Sequence, residues 1–467
     1  MSFVLTKAVD TSKVFVIRRS RLESRWDPNY YRCMKIYRDK VKDCAFPIER
    51  LSRSLALVQY GISERATEEP VGVPMLRMIN LQSDTWDLSS LKYIQMTDEE
   101  KKPYLLKQGD LLFNRTNSKE LVGKCNAFNL PGEYVFASYL IRVRLKLGTL
   151  LPDYVTAFLS SPLGRIQIDA VSRQIAGMTN INAEEIRELH IPALDGPAQA
   201  RVVKAWQTAI QERDQTIDKA RTIFASINDV LLDDLGIPRK PEPLNTIASR
   251  IFRRSLSEVS GGRLDPVANQ EKRKLLEKAI HSSKYTVHQL RDLVDSRKTL
   301  VNEIVDGESY IGLENIDGES GDFKTTTDKE TVGTAIRFIS GQILFPKLRP
   351  YLNKTHLATS DGICSTEFHV FTSSGVSGDY LAAFLRSNAI VGITSLLMTG
   401  NTLPRLQMSD IERLPIIVPP IHVQKSICAK IAKLQVSARA LRLRAFSDLE
   451  KAKQKIEALI LGKAVVE

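Results

Sequence analysis

The sequence predicts an α/β (α+β) protein in which two related globular heads, the products of an internal repeat, are separated by two long antiparallel coiled-coil helices. Three observations carry that expectation. Blocks of residues recur in the same order in both halves, each half contains a long run free of Gly and Pro, and apolar residues within those runs recur every seven positions. The boundaries that follow are a first head over 1–196, a first helix over 197–236, a linker and second head over 237–418, and a second helix over 419–467.

The repeat is clearest where Asp153-Tyr154-Val155-Thr156-Ala157-Phe158-Leu159 returns as Asp379-Tyr380-Leu381-Ala382-Ala383-Phe384-Leu385. Ile186-Arg187-Glu188-Leu189-His190-Ile191 returns as Ile411-Glu412-Arg413-Leu414-Pro415-Ile416, and Gln199 and Gln424 keep the same separation. Upstream echoes are Arg25-Trp26-Asp27-Pro28 with Arg263-Leu264-Asp265-Pro266, Asn80-Leu81 with Asn315-Ile316, and Gly109-Asp110-Leu111-Leu112-Phe113 with Gly341-Gln342-Ile343-Leu344-Phe345. The matches are collinear and their separation drifts slowly, as duplication followed by small insertions requires.

Within the heads, Leu111 to Phe113, Tyr139 to Leu145, Ile343 to Phe345 and Phe368 to Phe371 read as strands divided by Gly, Asn and Pro. Asp153 to Ser160 and Asp379 to Arg386 read as short buried helices. The order of the strands is not legible.

From Pro197, which suits a first helical turn, the chain runs without Gly or Pro to Leu235 and stops at Gly236-Ile237-Pro238. Val203, Ile210, Ile217, Phe224 and Leu231 form one heptad row, with Trp206, Ala220 and Ile227 in a second. In the second helix Ile427, Leu434 and Leu441 form one row, and Ile431, Ala438, Ala445, Ala452 and Leu459 another, before Gly462. A stripe this narrow suits another helix, although an amphipathic helix can also pack on its own head. Connectivity makes the pair antiparallel, since a parallel pair would need a long return segment. At 1.5 Å per residue the first helix is roughly 57 Å long, so the expectation is a dumbbell with an approximate internal two-fold axis. Two equivalent heads so placed suit one duplex at two half-sites, with a span of about 17 base pairs as an upper limit.

Composition bounds the class of partner. At 467 residues the chain exceeds one ordinary core, and 43% hydrophobic with 26% charged residues is the balance of a folded protein. Lys and Arg number 66 against 54 Asp and Glu, a net charge of +12 that fits a polyanion. Cys33, Cys44, Cys125, Cys364 and Cys428 form no close pair, which argues against zinc or a disulfide framework and for a reducing compartment. No apolar run is long enough to span a bilayer and no leader pattern opens the chain, so a cytoplasmic location without membrane contact is expected.

Two polar clusters in each head could touch DNA. The first follows the matched strand: Asn114, Arg115, Thr116, Asn117, Lys119 and Lys124 in one head, and Lys347, Arg349, Tyr351, Asn353 and Lys354 in the other. The second comprises Arg173, Gln174, Thr179 and Asn180, then Thr399, Asn401, Thr402 and Arg405, with Gly177 and Gly400 suited to tight turns. Arg pairs bidentately with guanine, Asn and Gln with adenine, and Lys more often holds phosphate. An ordinary solvated loop carries the same residue types. The linker arginines Arg250, Arg253 and Arg254 read first as solvated charge.

Catalytic motifs do not emerge. Gly123-Lys124-Cys125 lacks the earlier glycine and the hydroxyl of a phosphate loop. Asp27-Pro28-Asn29-Tyr30 lacks the second proline of the amino-methyltransferase tetrapeptide, and its echo at Asp265-Pro266 favours a turn that starts a domain. The six histidines, His190, His281, His288, His356, His369 and His422, show no paired ligand spacing.

Over essentially its whole length the chain resembles the specificity subunit of type I restriction-modification systems. The resemblance rests on Gly109-Asp110-Leu111-Leu112-Phe113-Asn114-Arg115 with its counterpart Gly341 to Lys347, and on Ile416-Ile417-Val418-Pro419-Pro420-Ile421-His422-Val423-Gln424 leading into the second helix. The first half departs from the Pro-Pro form, with Pro192-Ala193-Leu194-Asp195-Gly196-Pro197-Ala198-Gln199. The heads then correspond to target-recognition domains and the helices to spacers. The resemblance implies a non-catalytic subunit that binds a bipartite duplex target, docks two methyltransferase subunits and through them motor-nuclease subunits. S-adenosylmethionine, ATP and Mg would belong to those partners, with no cofactor or metal bound by this chain. Two other readings stand beside it: a methyltransferase or nuclease polypeptide carrying its own recognition domains, and a coiled-coil adaptor that binds no DNA.

Overall fold

Each head is built on the strand that the glycine motif introduces. In the computed structural model, which describes residues 14, 16–17, 19, 22, 26–82, 85–117, 121–175, 178–238, 251–255, 263–296, 298–302, 308–324, 333–400 and 403–463, that strand is Leu111–Asn114 in the first head and Ile343–Pro346 in the second. Both are buried at all four positions, as a continuous apolar run covered on both faces should be. Leu111–Asn114 pairs antiparallel with Leu140–Leu145 and Cys125–Ala127, and Leu55–Tyr60 adds to the far side of Leu140–Leu145. Ile343–Pro346 pairs in the same way with Phe368–Ser373 and His356–Leu357, and Val294–Asp295 adds to Phe368–Ser373. The strand order that sequence leaves open is therefore the same in both heads.

Gly109 and Gly341 have φ of 84° and 85°, a region that favours glycine. The residue after each closes the turn. Asp110 accepts from the Lys107 amide at 2.9 Å and from Arg144 at 2.6 and 2.7 Å, whereas Gln342 accepts from the Ile339 amide at 2.9 Å and donates to Thr372 at 2.8 Å. The short helices Pro152–Ser160 and Gly378–Leu385 bury Tyr154 and Tyr380, whose hydroxyls donate to the carbonyls of Pro192 at 2.7 Å and Ile417 at 2.8 Å. The second sheets differ. The first head orders Lys92–Ile94, Val73–Leu76 and Val135–Phe136, while the second orders Thr299–Val301, Ala335–Phe338, Gly362–Ser365 and Tyr310–Ile311.

Both long helices, Gly196–Leu235 and Ile421–Ile460, contain 40 residues. Asp195 caps the first by accepting from the Ala198 amide at 2.7 Å. Each ends on a left-handed glycine, Gly236 at φ 67° and Gly462 at φ 69°, and the next amide reaches back across the turn, Ile237 to Leu232 at 2.8 Å and Lys463 to Ala458 at 2.9 Å. The chain divides into two units, Met1–Gln215 with Arg444–Glu467, and Thr216–Leu443. Within the second unit Lys430 pairs with Asp234 at 2.7 Å and Arg442 lies 4.5 Å over the ring of Phe224. Advancing along one helix means retreating along the other, so the pair is antiparallel. Within the first unit Leu449, Ile456 and Ile460 share one core with Ala198, Val202, Trp206 and the head.

The buried seam keeps most of the expected rows and departs from them at a few positions. Trp206, Ile210, Phe224, Ile427 and Ile431 are buried, and Ile227, Leu441 and Leu459 pack partly buried against the clusters. Val203, Ile217 and Leu434 are only partly covered, while Val202 is 1% exposed. The opening turns of the first helix lie on the head as well as on a helix, so burial follows 198, 202, 206 and 210 at intervals of four rather than a row of sevens. Asp27 caps the helix Pro28–Val41, accepting from the Asn29 amide at 2.9 Å, so Asp-Pro there starts a helix and not only a turn.

Gln199 and Gln424 are 2% exposed on the opening turn of each helix. The Gln424 carboxamide accepts from Ser377 N–H at 2.9 Å and donates to the Pro419 carbonyl at 2.8 Å. Gln424→Ala leaves both groups unpaired and is expected to cost about 1–3 kcal/mol, which lowers the thermal midpoint by roughly 2–4 °C per kcal/mol. Calorimetry that shows an unchanged midpoint would contradict this role.

Candidate nucleic-acid interface

The two polar clusters of each head, distant in sequence, are joined by backbone hydrogen bonds. In the first head Thr116–Asn117 pairs with Met178–Asn180, which pairs in turn with Arg173–Ile175. Arg115 lies at the junction: its N–H donates to Tyr139 at 2.9 Å and its carbonyl accepts from Ile181 at 2.9 Å. In the second head Lys347 occupies the same node, with its N–H donating to Glu367 at 2.8 Å and its carbonyl accepting from Leu406 at 2.9 Å. Arg349 N–H reaches the Pro404 carbonyl at 3.1 Å, and Thr399 and Arg405 exchange both backbone bonds at 2.8 Å.

Side chains at these clusters differ in what they have left to offer. The Arg115 guanidinium lies 4.8 Å over the ring of Tyr60, which is 40% exposed, so the cation is held flat on an aromatic face. Arg349 is exposed and adopts φ 49°, a left-handed conformation unusual for a residue with a Cβ, and Tyr351 beside it is 47% exposed. Asn353 shares that backbone region at φ 51° and donates to the Arg386 carbonyl at 3.1 Å. Arg405 donates from Nε at 3.0 Å and Nη2 at 2.8 Å to the two carboxylate oxygens of Glu367, whose pKa this bond lowers. Asn180 accepts from the Thr116 hydroxyl at 2.6 Å. Thr399 accepts from Gln407 at 3.0 Å, and Lys124 is partly covered.

The surroundings of three expected contacts already engage or cover them. Thr179 is 5% exposed, so its side chain belongs to the interior. Lys354 donates to the Leu313 carbonyl at 2.7 Å, and Lys347 donates to the Thr366 carbonyl. Burial, and then Lys298, holds the Lys347 ammonium below the usual lysine range, which ill suits a phosphate clamp. Lys119, Gly177, Asn401 and Thr402 lie outside the described residues, as do the side chains of Asn117, Arg173 and Gln174. Arg250 is also outside, and Arg254 is committed to Glu271 at 3.0 Å and to the Asn269 carbonyl. Sequence reading missed Tyr60 and Glu367, which belong to strands or turns far from either cluster and carry no motif of their own.

A cavity of about 460 Å³ opens beside Tyr139, lined by Ile62, Arg65, Met75, Arg77, Ile79 and Lys92 among others. Among the described residues no group of three or more His, Cys, Asp or Glu could hold a metal ion, and no helix is long and apolar enough to cross a membrane.

No family model matches the chain. A stretch of 179 residues is 26% identical to the type I restriction enzyme EcoKI specificity subunit of Escherichia coli strain K12, covering 38% of each chain. Over 122 residues it is 26% identical to the EcoDI specificity subunit of Escherichia coli, covering 26% of this chain and 27% of that one. This chain is similar to type I specificity subunits. The aligned stretch thus spans well under half the length of these curated relatives. A putative type I specificity subunit, MjaX of Methanocaldococcus jannaschii, is 21% identical over 159 residues, 34% of this chain and 37% of that one. Among solved structures, the S subunit from M. genitalium aligns over 89% of this chain and 96% of its own at 10% identity with a TM-score of 0.36. The HsdS subunit from Thermoanaerobacter tengcongensis aligns over 90% and 97% at 12% identity with a TM-score of 0.31.

His369, in register with Phe345 and 3% exposed, has no hydrogen-bond partner for either ring nitrogen among the described residues. Burial, then Lys347 and Lys298, pushes its pKa down to about 3. Between the ordinary histidine value and that one, the unfolded chain binds a proton that the native state refuses, so stability falls as pH drops through this window, by at most about 1.4 kcal/mol per pH unit. His369→Leu is expected to flatten the loss between pH 6.5 and 5 in denaturant titrations; an unchanged slope would remove His369 as its source.

Proposed function

We propose that the chain is the DNA sequence-recognition subunit of a type I restriction-modification complex and is not itself catalytic. One observation carries this reading. In both heads the same strand order and the same backbone node bring two polar clusters together, while the side chains presented there differ, Arg115 and Asn180 in one and Arg349 and Arg405 in the other. One scaffold offering two sets of base-pairing donors is what a bipartite target requires. The net charge of +12 supports phosphate contact, and the similarity to specificity subunits supports the class of complex. In this reading the heads take the two half-sites, the paired helices set the gap and dock two methyltransferase subunits, and motor-nuclease subunits join through those. S-adenosylmethionine, ATP and Mg are held by the partners.

Mapping methylated positions in a genome that carries the chain with its partners is expected to give a bipartite motif with a fixed gap; a continuous motif would count against two heads. Arg115→Ala or Arg349→Ala should each relax one position in one half-site by about 1–3 kcal/mol if its contact is bidentate. Equal loss on every sequence, with a shallower salt dependence, would reassign that residue to phosphate. Methyl transfer by the purified chain alone, given S-adenosylmethionine and duplex, would overturn the non-catalytic assignment.

A further inference from the structure

We propose that Asn180 and Arg405 are the matched base readers of the two heads, Asn180 taking an adenine in one half-site and Arg405 a guanine in the other. The inference rests on the recognition function above and assigns its chemistry. The two residues occupy one structural position. Each immediately precedes a buried apolar residue, Ile181 or Leu406, whose N–H bonds the carbonyl of the node residue, Arg115 or Lys347, at 2.9 Å. Two residues after each comes the residue that precedes a short helix, Asn182 before Ala183–Arg187 and Gln407 before Met408–Glu412. Both lie on the second polar cluster where it pairs with the first.

In both heads a neighbour holds the side chain by one edge and leaves the pairing edge. Glu367 takes Nε and one N–H of Nη2 of Arg405, so among the described residues Nη1 and the other Nη2 hydrogen remain, the edge that fits guanine O6 and N7. Glu367 is anchored in turn, since its N–H donates to Ser365 Oγ at 3.2 Å and its carbonyl accepts from the node residue Lys347. Arg405 stays 43% exposed in its side chain and its backbone is fixed by both bonds to Thr399. At Asn180 the Thr116 hydroxyl occupies one lone pair of Oδ1, which among the described residues leaves the second lone pair and the Nδ2 amide, the acceptor and donor that match adenine N6 and N7. Thr116 is 7% exposed and cannot be pulled away to water. A guanidinium already neutralised by Glu367 offers little to phosphate, so Arg405 serves discrimination more than general affinity.

The test selects duplexes from a random pool with the full-length chain and its variants, then measures the salt dependence of binding on the selected sequence. The wild type is expected to enrich two half-sites, one containing a guanine and the other an adenine that respond as follows. Arg405→Ala should lose preference at that guanine by roughly tenfold to a hundredfold, with the other half-site and the salt slope unchanged. Glu367→Gln should weaken preference at the same position by less. Asn180→Ala, and less strongly Thr116→Val, should act on one adenine in the opposite half-site. The unaffected half-site reports that each variant is folded. Unchanged preferences in Arg405→Ala or Asn180→Ala, or uniform loss with a shallower slope, would overturn the assignment while leaving the recognition function standing. A wild-type pool with no enriched sequence would overturn the recognition function itself.

Discussion

The buried carboxamides of Gln199 and Gln424 fix the joint on which the remaining architecture depends. Gln199 accepts from the Leu151 amide at 2.7 Å and donates to the carbonyls of Leu194 at 2.8 Å and Thr149 at 3.2 Å, so one side chain ties two segments, 149–151 and Leu194, to a helix start. Gln424 does the same between the Ser377 amide and the Pro419 carbonyl. A glutamine suits this joint because a neutral carboxamide both donates and accepts, and because burying it costs little once its partners are supplied. With the first helix held against its head at the first turn, burial of Ala198, Val202 and Trp206 in the head core holds the turns that follow.

Above that joint the heads keep one part and vary another. The four-stranded sheet, the left-handed glycine turn and the tyrosine anchors at Tyr154 and Tyr380 recur, while the second sheet changes both its strand number and its order. Even the residue after the glycine is interchangeable: Asp110 uses an ion pair with Arg144 where Gln342 uses a neutral bond to Thr372. What must be supplied is an acceptor for the turn amide, and either side chain supplies it.

Sequence reading recovered the parts that local physics determines. Heptad rows and terminal glycines located the first helix to within a residue, whereas the second, expected over 419–467, spans Ile421–Ile460; buried apolar runs located the central strands. It put Val203 in the heptad row, whereas in the first turns, which also meet the head, Val202 is the fully buried neighbour and Val203 packs partly covered beside it. Strand order was hidden because antiparallel pairing depends on contacts between residues far apart in the chain. For the same reason the polar clusters were visible as clusters, but their union through Ile181 and Leu406, the stacking partner Tyr60 and the carboxylate of Glu367 were not. Thr179 read as an available group only because a sequence shows residue type and not the interior that claims it.

The first unit is closed by a segment translated long after the rest of it. Leu449, Ile456 and Ile460 complete its core, Lys40 pairs with Glu457 at 2.8 Å, the Ala45 amide donates to the Leu461 carbonyl at 3.0 Å, and a Cβ on Gly462 would come within 2.6 Å of that of Ala45. On a ribosome, head residues 28–210 emerge on the order of tens of seconds before 449–461. During that interval the first-head core lacks the side chains of Leu449, Ile456 and Ile460, and the entire second head must be synthesised before they arrive. The order of synthesis is thus the reverse of the order of completion: the head that appears first is finished last.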